Sequence, residues 1–459
     1  PLSLVAAVFS SLFRVSMRTA PTAPSPEVAR VAFDPQPTIE GTRMTTIAPT
    51  APVAATAPAA FASQDVQALM HFTQRPEIMF NHGRGSWLWD TAGRPYLDLL
   101  QGWAVNTLGH CPPTLASALA DQAQRLLHVG PGLYNDRAAQ LAQRLAELSG
   151  LQRCFFTSSG AEANEGAIKL ARKFGRVHRG GAFEIITLAN SFHGRTLATM
   201  SASGKPGFDT MFAPQVSGFP KACINDVDSV RAHINPHTVA VMLEPIQGEA
   251  GVIEATPAFL QQLRALCDEH DLLLILDEVQ TGIGRTGTVF GFEHSGVRPD
   301  ILTLGKGLGG GVPIGALLAR DAVCCFAPGD QGGTYGGNPL VCAAALAVLE
   351  VVTAPAFLPA VQARSQQLRD GLAAIAQRLG TAPPEGRGLL LALDLPQPDQ
   401  ATRLANALRD RACAEGTRPG LLVNAVRPQR LRFMPALNIG EDEVALALQV
   451  LSEALQILG

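Results

Sequence analysis

From residue 154 onward the chain alternates short apolar segments with longer amphipathic ones. The apolar segments have the length and composition of buried strands, and they are Cys154–Thr157, Glu184–Leu188, Val239–Leu243, Leu272–Leu276 and Ile301–Leu304. The amphipathic segments repeat apolar residues at helical spacing, and they include Glu162–Phe174, Pro257–His270 and Pro339–Val352. Strands that alternate with helices in this way predict an α/β domain with a largely parallel central sheet.

The regions on either side of this alternation have different patterns. Trp87–Asp98 alternates apolar and polar residues around a glycine-containing turn, which predicts a β-hairpin. Gln101–His110 is polar and punctuated by glycines, as loops are, and the helical periodicities of Pro112–Leu126 and Arg137–Leu148 follow it. After about Ala354 the pattern predicts long helices with a few strands, which indicates a separate C-terminal lobe.

Residues 1–60 differ in composition from the rest of the chain. They are rich in Ala, Pro, Thr and Ser, and their apolar run Leu4–Phe9 is far too short to span a bilayer. We interpret them as a disordered or non-native N-terminal extension, and we expect the folded body to form without them. Arg14 and Arg18, with no acidic residue before Glu27, keep an organelle transit peptide as the alternative.

The composition argues against several classes of protein. The chain has 459 residues with 47% hydrophobic content, enough to bury a large core in two or more domains. Only 16% of the residues are charged and the net charge is −3, so neither a nucleic acid nor a membrane is expected as a partner. The eight cysteines form no C-x-x-C pair, so no zinc site or disulfide framework is predicted, and a reducing, cytoplasmic location fits.

Lys306 is the first candidate for chemistry. It follows the predicted strand Ile301–Leu304, and Gly305 and Gly307 on either side leave its amine uncrowded by neighbouring side chains. A lysine amine condenses with an aldehyde to form a Schiff base, and pyridoxal phosphate is the commonest such partner. Taken alone, Lys306 is equally compatible with a solvated loop lysine, so its neighbours decide the interpretation.

The segment Thr157–Asn164 offers a phosphate site. Ser159 has the position of an N-cap and Glu162 the third helical position, which together form a capping box. The N–H groups of Gly160 and Ala161, together with the helix dipole, suit an anion such as a phosphate. A purely structural helix cap is the alternative.

Asp277 ends the predicted strand Leu272–Leu276, at the edge where open α/β sheets bind their ligands. A buried carboxylate needs a compensating partner, and a protonated pyridine nitrogen is one such partner. A metal ion or a helix N-cap would also explain Asp277.

Two glycine-rich segments, Gly282–Gly287 and Gly305–Gly310, match the dinucleotide pattern G-x-G-x-x-G. That pattern binds a dinucleotide only where a helix opens directly after the glycines. Neither segment is followed by a helical pattern, so a nicotinamide-dependent enzyme is not favoured.

Seven ordered motifs together resemble the class III (ornithine-type) aminotransferases, which are pyridoxal-phosphate (PLP) enzymes of fold type I, with the acetylornithine enzymes as the nearest branch. The motifs are Ser158–Glu165, Ser191–Thr196, Glu244–Gly251, Leu276–Gly287, Leu304–Gly307, Gly333–Pro339 and Leu431–Phe433. The resemblance covers roughly residues 65–459. It implies a large domain with a mostly parallel central sheet and a small α+β domain built from both ends of the globular chain. We place the two parts of the small domain at 61–115 and 354–459, and the large PLP-binding domain at 116–353.

The resemblance also implies the residues that contact the cofactor, which are Ser159, Gly160, Ala161, Phe192, Asp277, Val279, Gln280, Lys306 and Thr334. Lys306 would hold PLP covalently and move the proton, and Asp277 would pair with the ring nitrogen. Gln280 would bind near the ring hydroxyl, while Val279 and Phe192 would sandwich the ring. The residues at 159–161 would bind the phosphate, with Thr334 supplied by the second subunit of a homodimer.

For the substrates, the resemblance implies that Arg195 binds a carboxylate, and that Glu249 and Arg432 form a pair that opens in one half-reaction. A static ion pair is the alternative for Glu249 and Arg432. Two positions depart from the family pattern. Gly333 stands where Ser or Thr is usual, and Trp103 replaces a smaller aliphatic residue in a loop that resembles the substrate-facing one.

Three functions stay open at this point. The first is transfer of an amino group from N-acetylornithine to 2-oxoglutarate, as in arginine biosynthesis. The second uses another ω-amino donor, such as ornithine, succinylornithine, 4-aminobutyrate or a diamine. The third is a catalytically silent binding protein, which the presence of both Lys306 and Asp277 argues against.

Overall fold

The computed structural model describes residues 66–414 and 418–458, and all of them belong to one compact unit. The predictions made for residues 1–60 therefore lie outside the described part of the chain. The strands in the described part are β1 (Phe80–Arg84), β2 (Trp87–Asp90), β3 (Pro95–Asp98), β4 (Arg153–Thr157), β5 (Glu184–Leu188), β6 (Lys221–Ala222), β7 (Thr238–Leu243), β8 (Ile246–Gln247), β9 (Ile253–Glu254), β10 (Leu273–Asp277), β11 (Ile301–Leu304), β12 (Gly315–Ala319), β13 (Glu385–Arg387), β14 (Leu390–Asp394), β15 (Gly420–Leu422), β16 (Asn424–Arg427) and β17 (Arg430–Phe433).

The helices in the same residues are α1 (Gln101–Ala104), α2 (Pro113–Ala123), α3 (Asp136–Ser149), α4 (Gly160–His178), α5 (Leu197–Ala202), α6 (Phe208–Met211), α7 (Val227–Arg231), α8 (Pro257–Glu269), α9 (Pro339–Val352), α10 (Phe357–Leu379), α11 (Gln400–Ala414) and α12 (Glu441–Leu458). The predicted helices and strands are confirmed, most of them to within two residues at each end. The exceptions are α2, which stops three residues early, and α4, which begins two residues before the prediction and ends four after it.

The central sheet has seven strands in the order β4-β12-β11-β10-β7-β5-β6. The strands from β11 to β6 run parallel, whereas β12 is antiparallel to both of its neighbours. The predicted parallel α/β sheet, fold type I, is therefore confirmed, with one reversed strand. Because β4, β5, β7, β10 and β11 point the same way, the segments that follow them emerge at one edge of the sheet.

Helix α4 lies on this sheet because one of its faces is apolar. Its buried side chains include Ala167, Leu170 and Ala171, and they pack into a core with residues of β5, β7 and β10. A fully buried leucine contributes about 2 kcal/mol relative to an exposed one. The helix continues beyond Phe174 because Gly175 lets it pass Ala182, whose carbonyl oxygen lies 1.8 Å from the position that a Cβ would take.

A second hydrophobic core joins the two ends of the described chain. Leu97 and Leu99, at the end of β3 and just after it, share this core with leucines of α10, β14, α11 and α12. The hairpin predicted over Trp87–Asp98 is present as the antiparallel pair β2–β3. On its other side β3 pairs in parallel with β15, so residues more than three hundred positions apart form one sheet.

None of the described helices is by itself long and apolar enough to cross a membrane. Helices α9 and α10 reach that length and composition only as a pair, and they are bent by 72° at the break between them.

Candidate active site

The segments that follow the co-directional strands surround a cavity of about 270 Å³. Eight of the residues predicted for the site line it together, namely Gly160, Ala161, Phe192, Arg195, Asp277, Val279, Gln280 and Lys306. These residues are far apart in sequence. The parallel sheet brings them together because it places the ends of β4, β5, β10 and β11 at a common edge.

Lys306 enters this cavity directly after β11. Its φ is +38°, and it begins a single 3₁₀ turn, Lys306–Gly309, so the glycine-rich segment opens no α-helix. Burial lowers the pKa of the Lys306 amine, and the Asp277 carboxylate opposes that effect. The two residues that flank Lys306 are glycines because neither position has room for a side chain. A Cβ on Gly305 would lie 3.0 Å from the Cα of Gly160, and one on Gly307 would lie 2.7 Å from Thr107 Oγ1.

The carboxylate of Asp277 is only 4% exposed, and it accepts hydrogen bonds from three donors. Its Oδ2 accepts hydrogen bonds from Asn164 Nδ2 at 2.7 Å and from His193 Nδ1 at 2.8 Å. Its Oδ1 accepts from the N–H of Val279 at 3.0 Å. These bonds orient the carboxylate and leave it able to face a further donor in the cavity. Among the described residues, no group of three His, Cys, Asp or Glu side chains could hold a metal ion.

The beginning of α4 forms one end of the cavity. Ser159 caps the helix by accepting a hydrogen bond from the N–H of Glu162 at 3.2 Å, as predicted. The return bond differs from an ordinary capping box, because Glu162 Oε2 accepts from the N–H of Ser158 at 2.9 Å and from Ser159 Oγ at 3.1 Å. The N–H groups of Gly160 and Ala161 belong to the first helical turn and have no helical acceptor. They are therefore free to bind an anion.

Arg432 is fully buried beside Gln280. Its guanidinium donates to Glu249 Oε1 at 2.9 Å, to Asn424 Oδ1 at 3.0 Å and to Gln280 Oε1 at 3.4 Å. Burial lowers the pKa of Arg432, and the charge of Glu249 opposes this. Burial alone would raise the pKa of Glu249, but its cationic neighbours, chiefly Arg432, lower it to about 2. The predicted pair is therefore formed and ionised.

Arg195 and Trp103 are both exposed. The guanidinium of Arg195 lies over two aromatic rings, 5.9 Å from the centre of Phe192 and 5.8 Å from that of Phe208. Trp103 takes part through its backbone, whose carbonyl accepts a hydrogen bond from Gln280 Nε2 at 3.5 Å. It lies in α1, whose four residues Gln101–Ala104 all have positive φ, so this segment is a left-handed turn, a strained conformation typical of functional loops.

Thr334 is a predicted site residue that lies away from the Lys306 cavity of its own chain. Together with Gly333 it lines a second cavity of about 420 Å³, on the side of α4 where Ser158 and Glu162 lie. Tyr335 beside it is 66% exposed.

Four further residues lie at the site without a role that the sequence predicts. They are Asn164, His193, Lys205 and Glu244. Glu244 accepts a hydrogen bond from the N–H of Phe192 at 2.8 Å, and its burial together with the charge of Asp277 raises its pKa to about 8. His193 and Glu244 each follow a parallel strand, and that position was the available signal. Lys205 lies in an irregular loop and has no such signal.

Comparison with known proteins supports this geometry. The model of a family described as aminotransferase class-III matches residues 70–455. The chain is 59% identical to acetylornithine aminotransferase 2 of Bordetella bronchiseptica over 391 residues, which are 85% of this chain and 97% of that protein. The chain belongs to the class III aminotransferases.

Two solved structures of aminotransferases have the same fold. N-acetylornithine aminotransferase from Stenotrophomonas maltophilia superposes with a TM-score of 0.73 at 38% identity, covering 84% of this chain and 98% of that one. Ornithine aminotransferase from Toxoplasma gondii superposes with a TM-score of 0.79 at 32% identity, covering 86% and 93%, and PLP partly occupies its active site.

PLP is the cofactor of a class III aminotransferase, and the residues of this cavity fit it. The cavity has an amine on Lys306, a fixed carboxylate on Asp277 and the N-terminus of α4. It is also shaped by close packing, since a Cβ on Gly160 would lie 2.6 Å from Val279 Cγ1. An aldehyde, a pyridine nitrogen and a phosphate therefore each have a matching group in this class III aminotransferase.

Proposed function

We propose that this chain transfers the δ-amino group of N-acetylornithine to 2-oxoglutarate, a step of arginine biosynthesis. The observation that carries the reaction type is the cavity in which Lys306 and Asp277 lie together at the N-terminus of α4. The donor rests on the 59% identity to the Bordetella bronchiseptica acetylornithine aminotransferase over nearly its whole length.

Lys306 and Asp277 have different roles toward the cofactor, because one is an amine and the other a carboxylate. PLP, when bound, supplies an aldehyde and an electron-withdrawing ring. The Lys306 amine would hold PLP through its aldehyde and would move the proton at the substrate carbon. Its lowered pKa favours the neutral amine that both tasks need. Asp277 accepts the N–H of the ring nitrogen, in the orientation that His193 and Asn164 set.

The remaining contacts position the cofactor. The N–H groups of Gly160 and Ala161, with the hydroxyl of Ser159, would bind the phosphate at the start of α4. Phe192, Val279 and Gln280 all line the cavity, so Phe192 and Val279 would pack on the ring and Gln280 would bind near its hydroxyl.

Two arginines bind the carboxylates of the two substrates. Arg195 is exposed at the mouth and binds one carboxylate in both half-reactions. Arg432 is paired with Glu249 during the donor half-reaction and is released to bind the second carboxylate of 2-oxoglutarate. This division lets one cavity accept a donor with one carboxylate and an acceptor with two.

We further propose a homodimer in which Thr334 completes the phosphate site of the neighbouring subunit. Its place in the second cavity, beside the exposed Tyr335, supports this role. The shared core of β3 with α10, α11 and α12 supports a small domain made of residues 61–115 and 354–459 around a large domain of 116–353. The eight free cysteines of the described chain suit a reducing, cytoplasmic location.

A panel of amino donors tests the proposed donor. N-acetylornithine, succinylornithine, ornithine, 4-aminobutyrate and putrescine are each supplied with 2-oxoglutarate, and kcat/KM is measured. We expect N-acetylornithine to be best. A higher kcat/KM for ornithine would favour the second candidate function, which uses another ω-amino donor. The observation behind that candidate is the bulky Trp103, whose backbone carbonyl contacts Gln280 of the cavity. A protein that turns over none of these amines would contradict the proposed function.

A further inference from the structure

Glu249 contacts two cations, and the proposed switch uses only one of them. Its Oε1 accepts a hydrogen bond from Arg432 at 2.9 Å, whereas its Oε2 accepts one from Lys205 Nζ at 3.3 Å. The two oxygens of one carboxylate therefore serve two different positive charges. The charges belong to separate parts of the chain, because Lys205 lies in the loop after α5 and Arg432 lies in β17.

Lys205 is held in place by groups other than Arg432. Its ammonium lies 5.6 Å from the ring centre of Phe192 and 5.7 Å from that of Phe208, distances at which a cation attracts an aromatic face. The guanidinium of Arg195 lies over the same two rings. Lys205 therefore contacts an aromatic pair, one ring of which lines the cavity, and these two contacts do not involve Arg432.

This arrangement matters when Arg432 is released. The side chain of Glu249 is only 24% exposed, and a largely buried carboxylate that loses its counter-ion is destabilised strongly. With both cations present, the low pKa of Glu249 keeps it ionised throughout the neutral range. If Arg432 turned to a substrate and no second cation were present, Glu249 would have to take up a proton or move into water.

We propose that Lys205 is a positioning residue that keeps Glu249 ionised and in place while Arg432 binds the acceptor carboxylate. Lys205 thereby lowers the free energy of the open state, in which Arg432 is free, relative to the closed state. It favours dicarboxylate acceptors and does so through Glu249 rather than by touching the substrate. This inference rests on the proposed Glu249–Arg432 switch.

The test compares the Lys205→Met holoenzyme with the wild type in a binding assay and in two single-turnover assays. Glutarate carries the two carboxylates of the acceptor but cannot react, so its dissociation constant, measured by calorimetry, reports the open state alone. We expect Lys205→Met to weaken glutarate binding about tenfold, which corresponds to about 1.4 kcal/mol. The 2-oxoglutarate half-reaction should lose kcat/KM by a similar factor, and the donor half-reaction should change less than about twofold.

Three variants serve as controls. Lys205→Arg keeps the charge and should recover most of the glutarate affinity. Arg231→Met also removes a cation from an ion pair of 3.3 Å, that with Glu269, but the pair is exposed and none of the cavity's lining residues belongs to it. It should leave both half-reactions unchanged. In a Glu249→Gln background there is no carboxylate to hold, so adding Lys205→Met should have no further effect on glutarate binding.

The outcomes separate this inference from the function on which it rests. A tenfold loss that persists in the Glu249→Gln background would show that Lys205 binds the substrate itself, and equal losses in both half-reactions would show a structural lysine. Either result overturns the inference. Arg432→Ala tests the switch independently, since it should damage the 2-oxoglutarate half-reaction far more than the donor half-reaction. If Arg432→Ala affects both equally, the switch itself fails. If Arg432→Ala separates them and Lys205→Met does not, only the inference fails.

Discussion

Two lysines in the described part of the chain are partly buried with lowered pKa values, and only Lys306 lines the cavity. Burial lowers the pKa of Lys221 to about 7, and it also lowers that of Lys306. The amine of Lys221 donates to Thr187 Oγ1 at 2.8 Å, to the carbonyl of Ser201 at 2.7 Å and to that of Ala202 at 2.8 Å. A low pKa is therefore insufficient for a cofactor lysine, because the amine must also be reachable.

We predict that borohydride reduction of the holoenzyme will fix pyridoxyl mass on the peptide that contains Lys306. Lys221 is the matched internal control, since its amine has similar chemistry and no access to the cavity. Lys306→Ala should lose turnover by about three orders of magnitude or more, because a covalent and proton-transfer group is removed. Peptide mass spectrometry after reduction checks the assignment, and label on Lys221 would refute it.

Glu244 gives rise to a pH dependence of stability. Its pKa is raised from 4.5 to about 8 by burial and by the charge of Asp277. The folded protein therefore binds a proton that the unfolded chain releases above about pH 4.5, so the contribution is complete below that pH and is lost as the pH rises to 8. In this window the contribution of Glu244 to the free energy of unfolding falls by up to about 1.4 kcal/mol per pH unit, separately from that of Glu278, whose burial raises its pKa to about 7.

We predict that Glu244→Gln will remove this slope between pH 5 and pH 8. The amide resembles the protonated acid and can still accept the hydrogen bond from Phe192. Glu249→Gln is the matched control. The pKa of Glu249 is lowered to about 2, so it is ionised in both the folded and the unfolded state above pH 5 and should not change the slope. Denaturant unfolding at several pH values measures the slopes, and parallel curves for wild type and Glu244→Gln would contradict the prediction.

At the scale of elements, the approach of α4 to the turn after β10 depends on a single missing side chain. A Cβ on Gly160 would lie 2.6 Å from Val279 Cγ1, which is closer than non-bonded carbons can approach. The first turn of α4 would have to move away from the turn that carries Asp277. The phosphate site and the ring site would then no longer match the length of one cofactor.

We predict that Gly160→Ala will weaken PLP binding at least about tenfold, as measured by spectroscopic titration, because a displacement of this kind spoils a preorganised site. Gly166→Ala in the same helix is the matched control. Its Cβ would meet the amide end of Gln331 at 3.3 Å and Leu317 Cδ1 at 3.6 Å, an ordinary contact, and an alanine should stabilise the helix interior. Adding Val279→Ala to Gly160→Ala should restore part of the affinity. Wild-type affinity in the Gly160→Ala variant would show that α4 adjusts freely.

At the scale of the whole molecule, the proposed homodimer divides each site between two chains. Lys306 and Asp277 belong to one subunit, whereas Thr334 would come from the other. We predict that Lys306→Ala and Thr334→Asp homodimers are each nearly inactive, the second because a carboxylate would repel the phosphate. After subunit exchange at equal amounts, half of the dimers are mixed and each has one intact site. The mixture should therefore recover about a quarter of the wild-type activity.

The control for this experiment mixes Lys306→Ala with Asp277→Asn. Both residues line the same cavity of one chain, so every site in a mixed dimer lacks one of them. No activity should return. Recovery in this control, or its absence in the mixture containing Thr334→Asp, would mean that Thr334 does not act across the interface.

The sequence alone determined the elements and the identity of the chemical groups. Apolar runs of strand length predict the first and last residues of β5 and β11 correctly, because a strand buried on both faces is almost wholly apolar. The cap Ser159 marks the start of α4, since its side chain satisfies an N–H group that the helix cannot. Lys306 and Asp277 were identifiable because each directly follows or ends such a strand.

The tertiary structure decided which groups meet. No local pattern places His193 and Asn164 on the carboxylate of Asp277, because they come from segments whose distance depends on strand order. The reversed direction of β12 was likewise invisible, since an apolar strand has the same pattern in either direction. Lys205 reached Glu249 through an irregular loop packed on two phenylalanines. Contacts of this kind are set by the packing of the whole fold, and side-chain periodicity carries no information about them.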